Sequence, residues 1–203
     1  MRPFFEKLLF IEQPLHRDVA LDESLYDQFQ AWPDRPPIII DESDAELDSL
    51  TTALRLGYAG TSHKNCKGIV KGIANAASIA QAARKRDRAV HLTGEDLANV
   101  GPIAMLQDLA IMATFGINHV ERNGHHYFRG VAAWPRSIQE AALSHHPDLY
   151  HKHTDGYPSL FIHKGKLNLT SLNAAPFGLK PLLELDELTK VNITDLKGPA
   201  ISG

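Results

Sequence analysis

The stretch Ile38-Ile-Ile-Asp-Glu-Ser43 joins an uninterrupted apolar run to an acidic ending. An earlier stretch, Leu8-Leu-Phe-Ile11, is also apolar and is followed directly by Glu12. Strands of a parallel sheet read as continuous apolar runs, because helices cover both of their faces. These two stretches therefore predict buried parallel strands, each ending in a carboxylate.

Helical segments separate the predicted strands. Leu21, Leu25 and Phe29 recur every four residues, so they share one face of a helix. Ser43 followed by Glu46 is the pattern of a capping box, which predicts that the next helix begins at Ser43. Both segments are amphipathic, as expected for helices that cover one face of a sheet.

The longest predicted helix spans residues 68–86 and is rich in alanine. Its apolar stripe predicts which residues face the sheet, since a helix buries its apolar side. Two more helices are predicted to begin at Pro102 and near Pro135, because proline suits the first turn of a helix. The stripe consists of Ile69, Ile73, Ala76 and Ala80.

Strand and helix patterns thus alternate along most of the chain, with weaker strand candidates at 58–62, 89–92 and 117–120. Such alternation implies a parallel sheet with right-handed crossovers. Two architectures fit it: an open doubly wound sheet, or part of a TIM (β/α)8 barrel. No glycine-rich phosphate-binding loop follows any predicted strand, which argues against a nucleotide-binding site.

The alternation stops after Ser144. Residues 145–158 are polar and rich in histidine, which predicts a loop. Residues 159–169 predict a short hairpin around Gly165, and the rest predicts an irregular tail. The sequence therefore predicts an α/β fold of about five βα units with a C-terminal hairpin and tail.

Composition limits the possible functions. The 203 residues suit one domain, and a formal net charge of −3 argues against a mainly electrostatic nucleic-acid partner. The single cysteine, Cys66, excludes an intramolecular disulfide framework and a cysteine-rich zinc module. No apolar run reaches the roughly 18 residues of a membrane helix, so we expect no membrane partner. No signal-peptide pattern opens the sequence, and a cytoplasmic location is expected.

Charged residues stand where the predicted strands end. Catalytic residues of parallel barrels come from the carboxyl ends of several strands. Glu12 and Asp41, at two neighbouring strand ends, could hold a hard cation such as Mg²⁺; the alternative is that each caps a helix or lies in a loop. Lys64, at a third strand end, would point at the same centre. A lysine beside a cation can act as a base near neutral pH; the alternative is a solvated lysine.

The last two predicted strands also end in polar residues. Glu95 follows the fourth strand and could contact substrate or cap the next helix. Glu121 follows the fifth strand, and His125 comes soon after it in a loop that could line a pocket. The alternative for His125 is a solvated loop histidine. Lys67 and Lys71 are predicted to be solvated residues at a helix start.

The ordered set Phe-Ile-Glu12-Gln-Pro, Ile-Asp41-Glu-Ser and Lys64 followed by Lys-Gly resembles the enolase superfamily. Within it, residues 5–130 resemble the catalytic barrel of the mandelate racemase and muconate lactonizing enzyme group. The resemblance implies a partial TIM barrel, Mg²⁺ held by Glu12 and Asp41, and Lys64 as the base. It implies that Glu121 hydrogen-bonds substrate or intermediate. The implied reaction is abstraction of the proton α to a carboxylate, as in racemases, cycloisomerases and acid-sugar dehydratases.

In this family the first metal ligand lies on an earlier strand, and a separate capping domain closes the pocket. The resemblance begins at about the fourth strand of that barrel, after both of those parts. We therefore expect residues 1–203 to form a truncated barrel domain with weak Mg²⁺ binding and low or no activity. An open sheet exposes an edge strand and an apolar inner face, so a homo-oligomer is expected. Two alternatives stay open: a non-catalytic partial barrel that self-associates, and an unrelated doubly wound binding protein. In the second alternative Glu12, Asp41 and Lys64 would not converge.

Overall fold

The computed structural model describes residues 2–85, 88–95, 101–121 and 128–175. Five strands form one sheet in which every neighbouring pair is parallel. The strands lie side by side in chain order, without the reversal that defines a doubly wound sheet. The α/β fold is thus confirmed and the doubly wound alternative is wrong. The strands are β1 (Ile11–Glu12), β2 (Ile38–Ile40), β3 (Gly60–His63), β4 (His91–Glu95) and β5 (Val120–Glu121).

Helices connect the strands, and a short 3-10 turn at Asn65–Lys67 follows β3. In the described part of the chain, none of the helices has both the length and the apolar character needed to cross a bilayer. The helices are α1 (Arg2–Phe5), α2 (Leu25–Ala31), α3 (Ser49–Leu56), α4 (Ile69–Lys85), α5 (Pro102–Thr114), α6 (Arg136–His145) and α7 (Thr170–Asn173).

The sheet is curled into a half-barrel. In a flat sheet, β1 and β4 would lie about 14 Å apart, at roughly 4.8 Å per strand. Yet the ring centroids of Phe10, just before β1, and His91, in β4, are 5.9 Å apart. A cavity of about 310 Å³ is also lined by residues from both β1 and β5. This curvature is compatible with a partial barrel.

The two faces of the sheet differ in polarity. Ile38 and Ile40 of β2 pack against α2 and α3 in an apolar cluster that includes Phe29 and Leu56. Side chains alternate along a strand, so Asp41 lies on the opposite, concave face. Because acidic and basic side chains gather there at the carboxyl edge, the expectation of an apolar inner face is wrong at that edge.

The C-terminal part forms a second packing unit. Strands β6 (Tyr150–Lys152) and β7 (Pro158–Leu160) pair antiparallel and share an apolar cluster with α5 and α6. The predicted hairpin around Gly165 is reduced to one bridge between His163 and Lys166. Strand β6 lies within residues 145–158, which the sequence predicts to be a loop. The prediction misses this strand because only Tyr150 is buried, while the other two side chains are exposed.

The helix that follows β2 begins later than predicted. Helix α3 starts at Ser49, not at Ser43. Ser43 instead lies in the turn after β2, where its hydroxyl accepts a hydrogen bond of 2.7 Å from the Gln13 side chain. The end of the helix follows the prediction: Gly57 takes a left-handed conformation with a φ of +113°.

Helix α4 buries the face opposite to the predicted one. Ile69 and Ile73 are 45% and 55% exposed, whereas Lys71 and Asn75 are buried. Asp44, buried under α4, takes an ion pair from Lys71 and a hydrogen bond from Asn75. A buried carboxylate needs such partners, so this requirement outweighs the burial of two isoleucines.

Candidate metal and acid–base site

Four consecutive strand ends bring charged side chains to one point on the concave face. Carboxylate oxygens of Glu12, Asp41 and Glu95 all lie within 4.8 Å of one another. Lys64 Nζ lies 2.7 Å from Asp41 Oδ2 and 2.9 Å from Glu95 Oε2. Convergence of Glu12, Asp41 and Lys64 is what the barrel interpretation requires and what an unrelated binding fold does not predict.

The residue after β1 fixes the position of Asp41. Gln13 has a positive φ of 39°, and its side-chain oxygen accepts hydrogen bonds from the backbone N–H groups of Asp41 (2.7 Å) and Ser43 (3.2 Å). Its amide nitrogen donates to the carbonyl of Leu15. The end of β1 therefore holds the turn after β2, which places Asp41 beside Glu12.

A second lysine reaches the same carboxylate from the 3-10 turn. Lys67 Nζ donates to Asp41 Oδ1 at 2.7 Å and to the carbonyls of Asp41 and Ser62 at 2.8 Å. The prediction that Lys67 is solvated is wrong. Side chains three residues apart overlie each other in a 3-10 turn, so the spacing of Lys64 and Lys67 was a usable signal.

These contacts shift the acidity of the groups. Burial, and then the negative charge of Asp41, raise the pKa of Glu12. Burial opposes ionisation of Asp41 as well, but the hydrogen bonds from Lys64 and Lys67 outweigh it and lower the pKa of Asp41. Burial disfavours the Lys64 ammonium, but its hydrogen bonds to Asp41 and Glu95 outweigh burial and raise the pKa of Lys64. With these contacts, Lys64 is charged.

The concave face also carries polar atoms that lack partners. Glu12 Oε1, Thr93 Oγ1 and His91 Nε2 are buried and form no hydrogen bond within the described part of the chain. Among the described residues, two ammonium groups face three carboxylates there. An unmatched buried oxygen and an excess of carboxylate are features that a divalent cation with oxygen ligands would satisfy.

A cavity of about 310 Å³ opens beside this cluster, within the usual size of small-ligand pockets. Glu12, Thr93 and Glu121 all line it. Thr93 and His91 were missed by the sequence prediction. The signal for both is strand alternation, since they lie two and four residues before Glu95 and share its face.

The predicted site residues divide into three groups. Glu12, Asp41 and Lys64 come together, and Glu95, predicted to contact substrate, joins them as the third carboxylate. Glu121 pairs in register with Glu95 and is exposed at the cavity. His125 lies outside the described residues.

Comparisons with known proteins find no matching family model, no curated protein and no solved structure with significant similarity to this chain. The resemblance to the enolase superfamily stays a prediction. It rests on the order of Glu12, Asp41 and Lys64 along the chain and on their convergence in space.

Proposed function

We propose that the protein carries an enolase-superfamily type of site on a partial TIM barrel and promotes, at a low rate, Mg²⁺-assisted abstraction of the proton α to a carboxylate. The overall reaction would be that of an isomerase or a lyase acting on a small carboxylate. One observation supports this proposal above the others. Glu12, Asp41, Lys64 and Glu95, from four consecutive strand ends, meet at one point beside a cavity.

The three carboxylates would hold the cation. Glu12, Asp41 and Glu95 supply oxygen ligands, which Mg²⁺ prefers, and Glu12 Oε1 has no other partner among the described residues. When bound, Mg²⁺ would supply the positive charge that stabilises negative charge developing on the substrate carboxylate. Lys67, which already donates to Asp41, would keep that ligand in place.

Lys64 is the residue that would accept the α-proton. The C–H bond breaks, its electron pair delocalises into the substrate carboxylate, and the proton moves to Nζ. Lys64 must be neutral to accept it, whereas Asp41 and Glu95 now hold it as an ammonium. The oxygens that hold Lys64 are those proposed for the cation, so Lys64 and Mg²⁺ compete for them.

Residues of β4 would bind the substrate. Thr93 lines the cavity, and its Oγ1 is buried without a hydrogen bond to the described residues, as is His91 Nε2 two residues earlier on the same strand. A hydroxyl or carboxylate of the substrate would satisfy them, since leaving them unpaired is costly. Glu121, which is exposed and lines the cavity, would accept a hydrogen bond from a substrate hydroxyl.

Metal binding is tested first, by calorimetric titration of Mg²⁺. The wild-type chain should bind Mg²⁺ saturably, and Asp41→Asn and Glu95→Gln should each weaken binding at least tenfold. Glu42→Gln is the matched control, because Glu42 is an exposed carboxylate next to Asp41. The absence of saturable wild-type binding, or equal weakening by Glu42→Gln, would reject the proposed ligand set.

Proton abstraction is tested separately from product formation. In D₂O with Mg²⁺, a panel of α-hydroxy acids should include one whose α-proton exchanges for deuterium, measured by proton NMR. Lys64→Met should abolish this exchange, whereas Lys85→Met, at the exposed end of α4, should leave it unchanged. Exchange that persists in Lys64→Met, or no exchange on any α-hydroxy acid, contradicts the proposed reaction.

A second candidate function is a non-catalytic partial barrel that associates with a second copy of itself. It is supported by the exposed apolar face of α4, where Val70 is 79% exposed and Ile69 and Ile73 lie beside it. Exposed apolar patches of this kind favour association. Sedimentation velocity should then show a dimer that Val70→Asp converts to monomer. A monomer at every concentration rejects this candidate.

A further inference from the structure

A second cavity lies at the opposite edge of the sheet from the acidic site. Its volume is about 800 Å³, and its lining comes from segments that precede strands β1 to β4. Leu8, Pro37, Ala59 and Ala89 mark this amino edge, each one to three residues before a strand. The acidic cluster lies at the carboxyl edge, so the two sites are distinct.

Two arginines at this cavity are held by backbone carbonyls. Arg35 donates to the carbonyls of Phe29 at 2.7 Å and Gly57 at 2.8 Å, and its guanidinium lies over the Phe29 ring, 4.7 Å from the centroid. Arg88 donates to the carbonyl of Pro33. Arg35, which also donates to the carbonyl of Trp32 at 3.1 Å, is therefore positioned before any ligand arrives, and each guanidinium group keeps N–H donors that these bonds do not use.

No carboxylate in the described part of the chain forms an ion pair with Arg35 or Arg88. The two groups instead act on each other: burial, and then the charge of Arg88, lower the pKa of Arg35. Both arginines also line an adjoining cavity of about 450 Å³. Two neighbouring cations that form no ion pair with the described residues favour binding of an anion, because the anion relieves their repulsion and uses their remaining donors.

The walls of the cavity determine which anion fits. Trp32 and Phe5 form an edge-to-face pair with ring centroids 6.2 Å apart, and Trp32 is 44% exposed. Prolines 33, 36 and 37 line the cavity beside these rings. Apolar walls with a few fixed polar groups are typical of sites for small organic ligands. Glu6 and Asp34 also line the cavity, which favours a singly charged ligand over a polyanion.

We propose that this cavity binds a small organic monoanion, with its oxyanion between Arg35 and Arg88 and a flat apolar body against Trp32 and Phe5. Guanidinium groups recognise carboxylates through paired N–H donors, so a carboxylate is the expected anionic group. The proposal does not depend on the reaction proposed for the acidic site, because it uses none of the residues of that site.

The test is calorimetric titration with benzoate, compared with its neutral counterpart benzamide. Wild-type protein should bind benzoate saturably and benzamide at least tenfold more weakly. Arg88→Gln should weaken benzoate binding at least tenfold, and Arg84→Gln, an exposed arginine on α4, should not. Equal binding of benzoate and benzamide, equal effects of the two substitutions, or no benzoate binding would overturn the proposal.

A second measurement locates the ligand. Trp32 and Trp134 are the two tryptophans of the chain, so the Trp134→Phe variant reports fluorescence from Trp32 alone. Benzoate should change this fluorescence along the same saturation curve that calorimetry gives. In the doubly substituted Trp134→Phe, Arg88→Gln chain the change should be lost, while circular dichroism confirms that the chain is folded. An unchanged Trp32 signal at saturating benzoate places the ligand elsewhere and rejects the site.

Discussion

Two buried aspartate–lysine pairs lie on opposite faces of the same sheet. Asp41 and Lys64 are 2.7 Å apart on the concave face, and Asp44 and Lys71 are 2.5 Å apart under α4. The two aspartates are three residues apart in the sequence, and the two lysines are seven apart. The two pairs thus have the same residue types and are both buried, and only their surroundings differ.

The surroundings distinguish the pair that stabilises the fold from the pair at the proposed site. Asp44 receives Lys71 together with neutral donors, since Thr61 Oγ1 and Asn75 Nδ2 each donate to its Oδ2 at 2.9 Å. One carboxylate there faces one ammonium. On the concave face three carboxylates crowd two ammonium groups, and buried oxygens remain without partners in the described residues. Groups held at an energetic cost in this way are typical of binding and catalytic sites.

The largest effect on stability should come from breaking the ion pair between Asp44 and Lys71. Lys71→Met leaves the Asp44 carboxylate buried without its cation, which should reduce the free energy of unfolding by about 3–5 kcal/mol. Urea denaturation at pH 7 measures this loss. Lys85→Met, at the exposed end of the same helix, should change it by less than about 0.5 kcal/mol. Similar losses for the two variants would show that the Asp44–Lys71 pair does not stabilise the fold.

The next-largest effect is a dependence of stability on pH that arises from His63, on the helix-covered face of the sheet. Burial lowers the pKa of His63, and Lys67 and Lys71 act in the same direction, while the Asn65 hydrogen bond and Asp44 oppose it. Below pH about 6.5 the unfolded chain binds a proton that the folded imidazole does not. Stability should therefore fall as pH decreases from 7 towards 5, with a slope of at most about 1.4 kcal/mol per pH unit from this group.

The control for this pH dependence is His63→Gln, which keeps a polar side chain and removes the titrating one. Its unfolding free energy, measured by urea denaturation at several pH values, should depend less on pH between 7 and 5 than that of the wild type. An identical dependence in the two chains would assign the effect to other histidines.

The sequence alone predicts some of the strands and the acidic residues at their ends. Of the apolar run 8–11, predicted as a buried strand, only Ile11 lies in β1, and Leu9 is 43% exposed. The apolar run 38–40, in contrast, is a strand with all three residues buried, and the acids after it and in β1 lie at strand ends. These predictions succeed because burial on both faces of a parallel strand leaves a continuous apolar pattern, and chain direction then fixes which end carries the site. Convergence of Glu12, Asp41 and Lys64 follows from the same two facts.

The remainder depends on long-range partners that no local pattern contains. The apolar stripe of α4 predicts that Ile69 and Ile73 are buried, yet Asp44 lies where only Lys71 and Asn75 can satisfy it. Likewise, Glu95 joins the carboxylates because the sheet curls, and the amount of curl is not encoded in one strand. The error in α4 arises where a buried charge, rather than apolar area, determines the packing.

Substitution of Glu12, in the cluster on the concave face, should change the stability in the opposite direction from substitution of Lys71. Because burial and neighbouring carboxylates raise the pKa of Glu12, its ionised form destabilises the fold at neutral pH. Glu12→Gln should therefore increase the free energy of unfolding at pH 7 by about 1 kcal/mol, while Mg²⁺ binding weakens at least tenfold. Urea denaturation and calorimetry measure the two changes. A loss of stability would mean that Glu12 is structural, as Asp44 is.

The smallest change in the free energy of unfolding is expected for a substitution on the outer face of α4. Val70 is 79% exposed, so Val70→Gln removes no buried contact and replaces valine with a better helix former. The free energy of unfolding should change by less than about 0.5 kcal/mol in dilute protein, measured by urea denaturation. Ala53→Gln, at a fully buried position of α3, serves as the contrasting substitution and should be strongly destabilising. A loss above about 1 kcal/mol for Val70→Gln would show that a second chain covers this face, because only then does its apolar surface contribute to stability.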